Sequence, residues 1–235
     1  MTTNATTRAK VATVDLVATL APEMLGLAVT PAAVIASLLL LGSSHPYRNV
    51  ACLAGVFLAV YGAICVAVLA AGRAADTSAE DPSAAHGRAG LLVGLLFLAG
   101  GLGSWLRKPR VAPGTAVPLP GWAERLRDPS VRLVLGVGLV LAVLNPNVAI
   151  LASGLTLLVA RDSGSDELVG VALLLAGSMV DFVLPALAFA ISGERGRDRL
   201  RAATRWLIVH NHVIGIVVLV AFGLLFVGRG LAQIA

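Results

Sequence analysis

The sequence is poor in charged residues. Asp, Glu, Lys and Arg make up 13% of its 235 residues, whereas 57% are hydrophobic. Soluble domains carry about 25% charged residues and have no core large enough to bury so much apolar surface. Several runs of about 20 residues contain almost no charge, and this length crosses the hydrocarbon layer of a bilayer. The sequence therefore predicts an integral membrane protein.

Aromatic residues and cysteines are also scarce. Aromatics make up 5% of the chain, and no ten-residue segments alternate between apolar and polar side chains as membrane β-barrels require. The predicted fold class is therefore an all-α membrane bundle. The two cysteines, Cys52 and Cys65, would lie about 20 Å apart on one helix, too far for a disulfide. Without a CxxC motif, thiol transfer is not expected.

The sequence also lacks the usual signatures of catalysis. It has no Ser/His/Asp set at membrane depth, no cluster of metal ligands and no phosphate-binding loop before a helix. We expect neither enzymatic activity nor a metal or cofactor.

The net charge of +5 comes from basic residues in loops between spans. The orientation of the protein in the membrane explains these residues, so no nucleic-acid partner is expected. His210 and His212 fall at the end of a predicted span, where His more often caps a helix or reaches the interface.

Six transmembrane spans are predicted, arranged in two halves. They lie within residues 11–41, 49–71, 89–106, 131–160, 167–191 and 207–228. A linker rich in Pro and Arg, residues 107–130, separates an N-terminal three-helix repeat (1–106) from a C-terminal one (131–235). Because each half has an odd number of spans, the halves have opposite orientations, as in an inverted repeat.

The distribution of Lys and Arg predicts the orientation. One side of the membrane has twelve of them: Arg48, Arg107, Lys108, Arg110, Arg125, Arg127, Arg132, Arg195, Arg197, Arg199, Arg201 and Arg205. The other side has six: Arg8, Lys10, Arg73, Arg88, Arg161 and Arg229. The positive-inside rule places the first set in the cytoplasm. We expect a multi-pass plasma-membrane protein with both termini outside.

Each half opens with a long apolar segment that a Pro interrupts. These segments are LGLAVTPAAVIASLLLL, around Pro31, and LVLAVLNPNVAILASGLTLL, around Pro146. A Pro within a helix removes one backbone donor and displaces the carbonyl four residues earlier, here those of Leu27 and Ala142. In lipid such a carbonyl needs another partner, from the protein, water or a bound solute. Paired broken helices that meet near the middle of the membrane are therefore predicted.

Polar side chains accompany both Pro residues, and two interpretations stay open. Thr30 precedes Pro31, and the amides of Asn145 and Asn147 flank Pro146. In one interpretation these side chains only repair a kinked helix and bond to neighbouring spans. In the other they line a transport path, to which we also assign Ser37, in the Ala-Ser pair that follows Pro31.

Two acidic residues are candidates for coupling transport to protons. Asp181 lies near the centre of the fifth span, where a carboxylate is costly and usually faces a cavity or a partner. Pro185 frees the carbonyl of Asp181, so that a titratable carboxylate and a free carbonyl share one level. A neutral Asp181 that bonds to a neighbouring helix is the alternative. Glu23 follows Pro22 and resembles the first positions of a helix, which favours a place at the outer interface.

Several of these motifs resemble one family. LGLAVTPAAVIASLLLL, RNVACLAGVFLAVYG and the LNPN of the fourth span resemble the actinobacterial GAP/Sap family. These are the peptidoglycolipid- and sulfolipid-addressing proteins of the LysE exporter superfamily, and the resemblance covers roughly residues 16–228. It implies a six-helix inverted-repeat exporter, with functional positions at Pro31, at Arg48 and Asn49 on the cytoplasmic entrance, and at Asn145-Pro146. Relatives commonly have Asn-Pro-Lys, and if that Lys helps to hold an anionic substrate, Asn147 implies a different substrate chemistry.

Three functional hypotheses follow. The first is a proton-linked or facilitated exporter of a cell-envelope lipid or glycolipid in an actinobacterium, whose high-GC genome fits sixteen Arg against two Lys. The second is an exporter of amino acids or another small solute. The third is an accessory protein that docks onto a larger lipid exporter through its Arg-rich loops. Membrane lipids are the expected partners, and a homo-oligomer is possible.

Overall fold

The chain folds into a bundle of helices. A computed structural model describes residues 2–75, 82–107, 125–126, 129–159 and 164–234. The helices are α1 Thr2–Leu27, α2 Pro31–Leu41, α3 Pro46–Ala75, α4 Pro82–Leu106, α5 Val131–Val143, α6 Asn147–Val159 and α7 Gly164–Ile234. No strand occurs in these residues, which confirms the all-α class.

The predicted spans coincide with apolar helices. Three segments are long and apolar enough to cross a membrane, Pro46–Gly72, Glu167–Ile191 and Ala202–Ala232. Two bent pairs, Thr13–Leu27 with Pro31–Leu41 and Val131–Val143 with Asn147–Val159, would each make one further span. The predicted span at 89–106 corresponds to a shorter apolar helix, Gly90–Leu106. Large apolar side chains such as Leu92, Leu96 and Leu184 are exposed on the outside of the bundle, as expected for a surface that faces lipid.

Both predicted breaks are confirmed. The two bent pairs turn by 60° and 59°, at the positions where Pro31 and Pro146 interrupt the apolar sequence. The likeness of the two angles supports related halves, and their inverted orientation stays a prediction. Residues 76–81 and 108–124, within the predicted outer loop and the linker, lie outside the described residues.

Helix α7 folds back on itself. A straight helix of its 71 residues would be about 107 Å long. Gly177 nevertheless packs against Met24, and Phe222 packs against Gly26, so both parts of α7 contact the same turn of α1. The backbone is helical throughout α7, and no separate loop divides the two predicted spans. The intervening sequence GERGRDRLRAATR is rich in Arg, which together with Ala is a strong helix former.

The two halves pack against each other along most of their helices. Helix α4, the last of the N-terminal half, lies against α7, and α3 contacts both α5 and α6. Phe57 of α3 packs against Phe182 of α7, with ring centroids 4.9 Å apart. Helices α1 and α2 also contact α7. This packing places the two breaks side by side.

Candidate functional site

The first break follows from its local sequence. Helix α1 ends at Leu27, and Pro31 is the first residue of α2. The residue before a Pro is driven out of the helical region, and Thr30 is extended, with φ −112° and ψ 91°. Pro is well tolerated at the first position of a helix, where the backbone N–H would have no partner within the helix. The N–H of Thr30 is therefore available to a group from outside α1 and α2.

Asp181 of α7 bonds to that N–H. Its Oδ2 accepts from the Thr30 N–H at 3.1 Å, and its Oδ1 lies 3.4 Å from the same nitrogen. The Asp181 side chain is 3% exposed, and it sits at the N-terminus of α2, where the helix dipole favours a negative charge. A carboxylate deep in the bundle is thus stabilised by a neighbouring helix. Helix α7 continues through Pro185.

Asn147 connects the two breaks. Its Nδ2 donates to Thr30 Oγ1 at 2.5 Å and to the Leu27 carbonyl at 3.3 Å. The Leu27 carbonyl is the one that Pro31 frees, so the predicted need for a partner is met by the opposite half of the protein. Asn147 is 2% exposed. Its amide therefore holds α6 against the end of α1, which agrees with the first interpretation from the sequence, a bond to a neighbouring span.

Asn145 has a different role. Its Oδ1 accepts from the Asn147 N–H at 3.1 Å, which supplies one of the partners that the first turn of α6 lacks. In the first interpretation from the sequence, the amides beside Pro146 repair the kinked helix. The side-chain oxygen instead caps α6, because α5 ends at Val143 before Pro146 is reached.

A cavity of about 410 Å³ opens between the breaks. The first break contributes Thr30 and Pro31, and the second contributes Asn145, Pro146 and Asn147. Ser104 of α4 and Asn211 and His212 of α7 add further polar groups. The rest of the lining consists mainly of Val, Leu and Ile side chains, among them Val140, Leu144, Ile216 and Leu219. An apolar wall with a few polar groups suits an amphiphilic ligand.

The predicted helix start at Pro22 is wrong, whereas the place of Glu23 at the outer interface stays a prediction. Glu23 lies inside α1, which continues through Pro22, and its side chain is 0% exposed. Arg229 Nη1 donates to Glu23 Oε1, and Ser153 Oγ lies 3.4 Å from the same oxygen. A buried carboxylate is stabilised when a cation and hydrogen bonds compensate for its lost hydration. The pairing itself was not predicted, because Arg229 is 206 positions away in the sequence.

Arg229 and His212 were not recognised as site residues from the sequence. Arg229 was counted among the outer loop charges, but it lies within α7 and its side chain is only 31% exposed. Arg229 interrupts the apolar stretch FGLLFVGRGLA, and a lone charge in such a stretch could have marked it as a residue that pairs inside the bundle. The sequence predicts His212 at a span end, and the structure places it among the residues that line the cavity.

The remaining predicted positions lie elsewhere. Ser37 is fully buried in α2, and its Oγ has no hydrogen-bond partner among the described residues. Arg48 is exposed at the start of α3. Asn49 is buried, and its Nδ2 donates to Ser43 Oγ at 2.9 Å, which closes the turn between α2 and α3. None of the three lines the cavity. Ser37 lies farther along α2, and Arg48 and Asn49 lie in α3, beyond the end of α2 that is opposite the break.

The comparisons with known proteins agree with the resemblance found in the sequence. A family model described as Sap, sulfolipid-1-addressing protein, matches residues 22–232. The matched region includes both breaks, Asp181, His212 and the Glu23–Arg229 pair. The comparisons with curated proteins and with solved structures found no match.

Proposed function

Since the chain belongs to the Sap, sulfolipid-1-addressing protein family, we propose that it moves a cell-envelope lipid or glycolipid outward across the plasma membrane. Family membership gives it a role in lipid-related membrane export or localisation. The proposal adds that the protein is itself the carrier, and that its substrate enters the cavity between the two breaks.

The lining of the cavity is the observation that carries this proposal. Residues of both breaks line one cavity of about 410 Å³. The Ser104 hydroxyl and the amides of Asn145 and Asn211 can bond to a polar head group, and the Val, Leu and Ile walls can contact acyl chains. No Asp, Glu, Lys or Arg occurs among the lining residues. A free amino acid carries both a positive and a negative group, so this lining favours a lipid over the amino-acid alternative.

Asp181 supports the coupling of transport to proton binding. Its carboxylate accepts from the Thr30 N–H, and Thr30 itself lines the cavity. Ionised Asp181 is favoured by the positive end of the α2 dipole, and protonation removes that attraction. Gain or loss of a proton at Asp181 would therefore change how firmly α2 is held to α7 beside the substrate. This is the mechanism that we propose for coupling.

Lipid profiling of the cell envelope tests the function. In a deletion strain we expect one lipid class to accumulate in the inner membrane and to decrease at the cell surface. Complementation with the wild-type gene should restore the distribution. Normal surface lipids, together with accumulation of an amino acid or another small solute in the cytoplasm, would favour the solute exporter instead.

Reconstitution separates a carrier from an accessory protein. The purified full-length chain is placed in liposomes with fluorescent galactosylceramide or its 3-sulfated form, sulfatide. A carrier changes the fraction of label that an external quencher reaches, whereas protein-free liposomes give the background. Failure to move either lipid alone, with activity restored by a larger exporter, would support the accessory role.

A further inference from the structure

The cavity and the Glu23–Arg229 pair lie on opposite sides of the two breaks. Ser104 lines the cavity and lies near the end of α4, on the side where the 107–130 linker begins. Gly90 of the same helix packs against Gly230, the residue after Arg229. At 1.5 Å per residue, Gly90 and Ser104 are about 21 Å apart along α4. The ion pair is therefore at the end of the bundle that faces away from the linker.

The cavity extends from the breaks toward the linker side. Its lining includes Val140 and Leu144 at the end of α5, and Asn211 near the start of the Ala202–Ala232 segment of α7. Among the described residues that line it, none belongs to α1, and Asn147 is the one residue of α6. A substrate in the cavity therefore has to pass the packed helices α1, α6 and α7 to reach the opposite side.

On that opposite side, the end of α1 fits closely against α7. A methyl group at Gly177 would lie 3.3 Å from the Met24 Cα, and a methyl group at Gly26 would overlap the Phe222 ring. Contacts this close leave no passage between the two helices. The structure is thus closed on the side away from the linker.

The Glu23–Arg229 pair completes this closure. Glu23 belongs to the N-terminal half and is fully buried, whereas Arg229 belongs to the C-terminal half, as does Ser153 beside them. A buried ion pair adds little stability over apolar side chains of the same volume, because both charges lose hydration. Arg229 is 31% exposed, so its charge regains water when the pair separates. The pair can therefore hold the two halves together and still release them.

We infer that the last two turns of α1, residues 20–27, form a gate that the Glu23–Arg229 pair keeps closed. The substrate leaves the cavity when this pair separates and the gate moves away from α7. This inference rests on the proposed function, and it adds the route from the cavity to the opposite side. In the predicted orientation that side is the outside, which is the direction of export.

A disulfide that fixes α1 to α7 tests whether the gate has to open. A Cβ at position 177 would lie 3.5 Å from the Met24 Cβ, within the range of about 3.5–4.5 Å that disulfides require. Met24→Cys/Gly177→Cys is prepared in a background in which Cys52 and Cys65 are replaced by Ala. We expect oxidation to reduce sulfatide transport in liposomes to the level of protein-free liposomes, and reduction to restore it.

Gly72 and Val159 provide the control disulfide. A Cβ at position 72 would lie 3.6 Å from the Val159 Cβ, and this contact joins α3 to α6 without involving α1. Oxidised Gly72→Cys/Val159→Cys should transport sulfatide as well as its reduced form does. Loss of transport with this disulfide as well would overturn α1 as the moving element. Unchanged transport in oxidised Met24→Cys/Gly177→Cys would overturn the gate.

Thiol access tests the gate without a lipid, and it keeps the test valid if the disulfide variants do not fold. Leu27 lies in the gate and Leu40 lies in α2, beyond the first break, and both side chains are 0% exposed. Leu27→Cys and Leu40→Cys are each made in the same Ala-substituted background, with and without Glu23→Gln. We expect Glu23→Gln to speed the reaction of Leu27→Cys with a water-soluble maleimide roughly tenfold, the effect of about 1.4 kcal/mol on an opening equilibrium.

The reaction of Leu40→Cys should keep its rate in Glu23→Gln. Equal acceleration at both positions would show that Glu23→Gln only loosens the bundle, and it would overturn the gate, as would an unchanged rate at Leu27→Cys. A wild-type chain that moves neither galactosylceramide nor sulfatide would contradict the proposed function. The thiol rates do not depend on that transport, so the two failures are distinguished.

Discussion

At the scale of single residues, Asp181 is defined by its contact with the N-terminus of α2. Replacement by Asn keeps the side-chain volume and an oxygen that can accept from the Thr30 N–H, but removes the negative charge and the proton equilibrium. We therefore expect Asp181→Asn to abolish transport while expression and melting temperature stay close to wild type. Transport of sulfatide into liposomes and thermal unfolding in detergent measure the two effects. Full activity in Asp181→Asn would contradict a coupling role.

Asn147 and Asn145 lie two positions apart and should respond differently. Asn147→Asp replaces a donor by an acceptor that faces the Leu27 carbonyl and Thr30 Oγ1, and it leaves a buried carbonyl without its partner. We expect a loss of about 2–3 kcal/mol of stability. Asn145→Ala removes only a cap of α6, which costs about 1 kcal/mol. Melting curves of the two variants measure the difference, and an equal loss would contradict the role of Asn147 as a tie between the halves.

The Glu23–Arg229 pair is asymmetric, because Glu23 is fully buried and Arg229 is partly exposed. Arg229→Gln leaves a buried carboxylate without a cation and should cost about 3 kcal/mol. Glu23→Gln leaves an Arg that can turn toward the outside of the bundle, so its cost should be clearly smaller. The double variant Glu23→Gln/Arg229→Gln should recover part of the stability that Arg229→Gln loses. Thermal unfolding of the three variants tests this, and equal losses in the two single variants would contradict the asymmetry.

At the scale of helices, a close contact between α4 and α7 depends on glycine. A methyl group at Gly94 would lie 2.7 Å from the Val227 backbone nitrogen and 2.9 Å from the Gly223 carbonyl oxygen. Backbone atoms at these distances do not move cheaply, and small residues are what allow membrane helices to approach. Gly94→Ala should therefore destabilise the bundle by about 1–3 kcal/mol.

Gly55 is the control for that substitution. It lies within α3, and a methyl group there would meet no atom within 4 Å. Gly55→Ala should leave stability unchanged or raise it by up to about 1 kcal/mol, because Ala is the better helix former. The melting temperatures of both variants are compared in the same detergent. A tolerated Gly94→Ala would show that the α4–α7 contact does not require glycine.

At the scale of the whole molecule, the Lys and Arg distribution predicts that both termini and the 73–88 loop face outward. Cys52 and Cys65 are free cysteines, so they are replaced by Ala and a single Cys is introduced at position 78. We expect an impermeant thiol reagent to label this Cys in intact cells. A Cys at position 203, next to the Arg-rich segment of α7, should be labelled only after permeabilisation. The reverse pattern would invert the topology.

The sequence alone determined the all-α membrane class, the apolar helices and the positions of both breaks. These features depend on local properties: the length of the apolar runs sets the spans, and Pro31 and Pro146 exclude a continuous helix whatever surrounds them. Residues 22–232 likewise identify the family. The sequence could not show that the backbone of α7 stays helical between its two spans. The conformation of that connection depends on how the two spans pack against the rest of the bundle.

The tertiary structure alone decided which polar groups meet. Asn147 bonds to Leu27 across 120 positions, Asp181 to Thr30 across 151, and Arg229 to Glu23 across 206. A single sequence contains the donors and acceptors but not their pairing, since each pairing depends on how the helices of the two halves pack. For this reason neither the pairing of Glu23 with Arg229 nor the place of His212 in the cavity lining could be predicted. Inside a bundle, the partner rather than the neighbours in sequence determines what a polar side chain does.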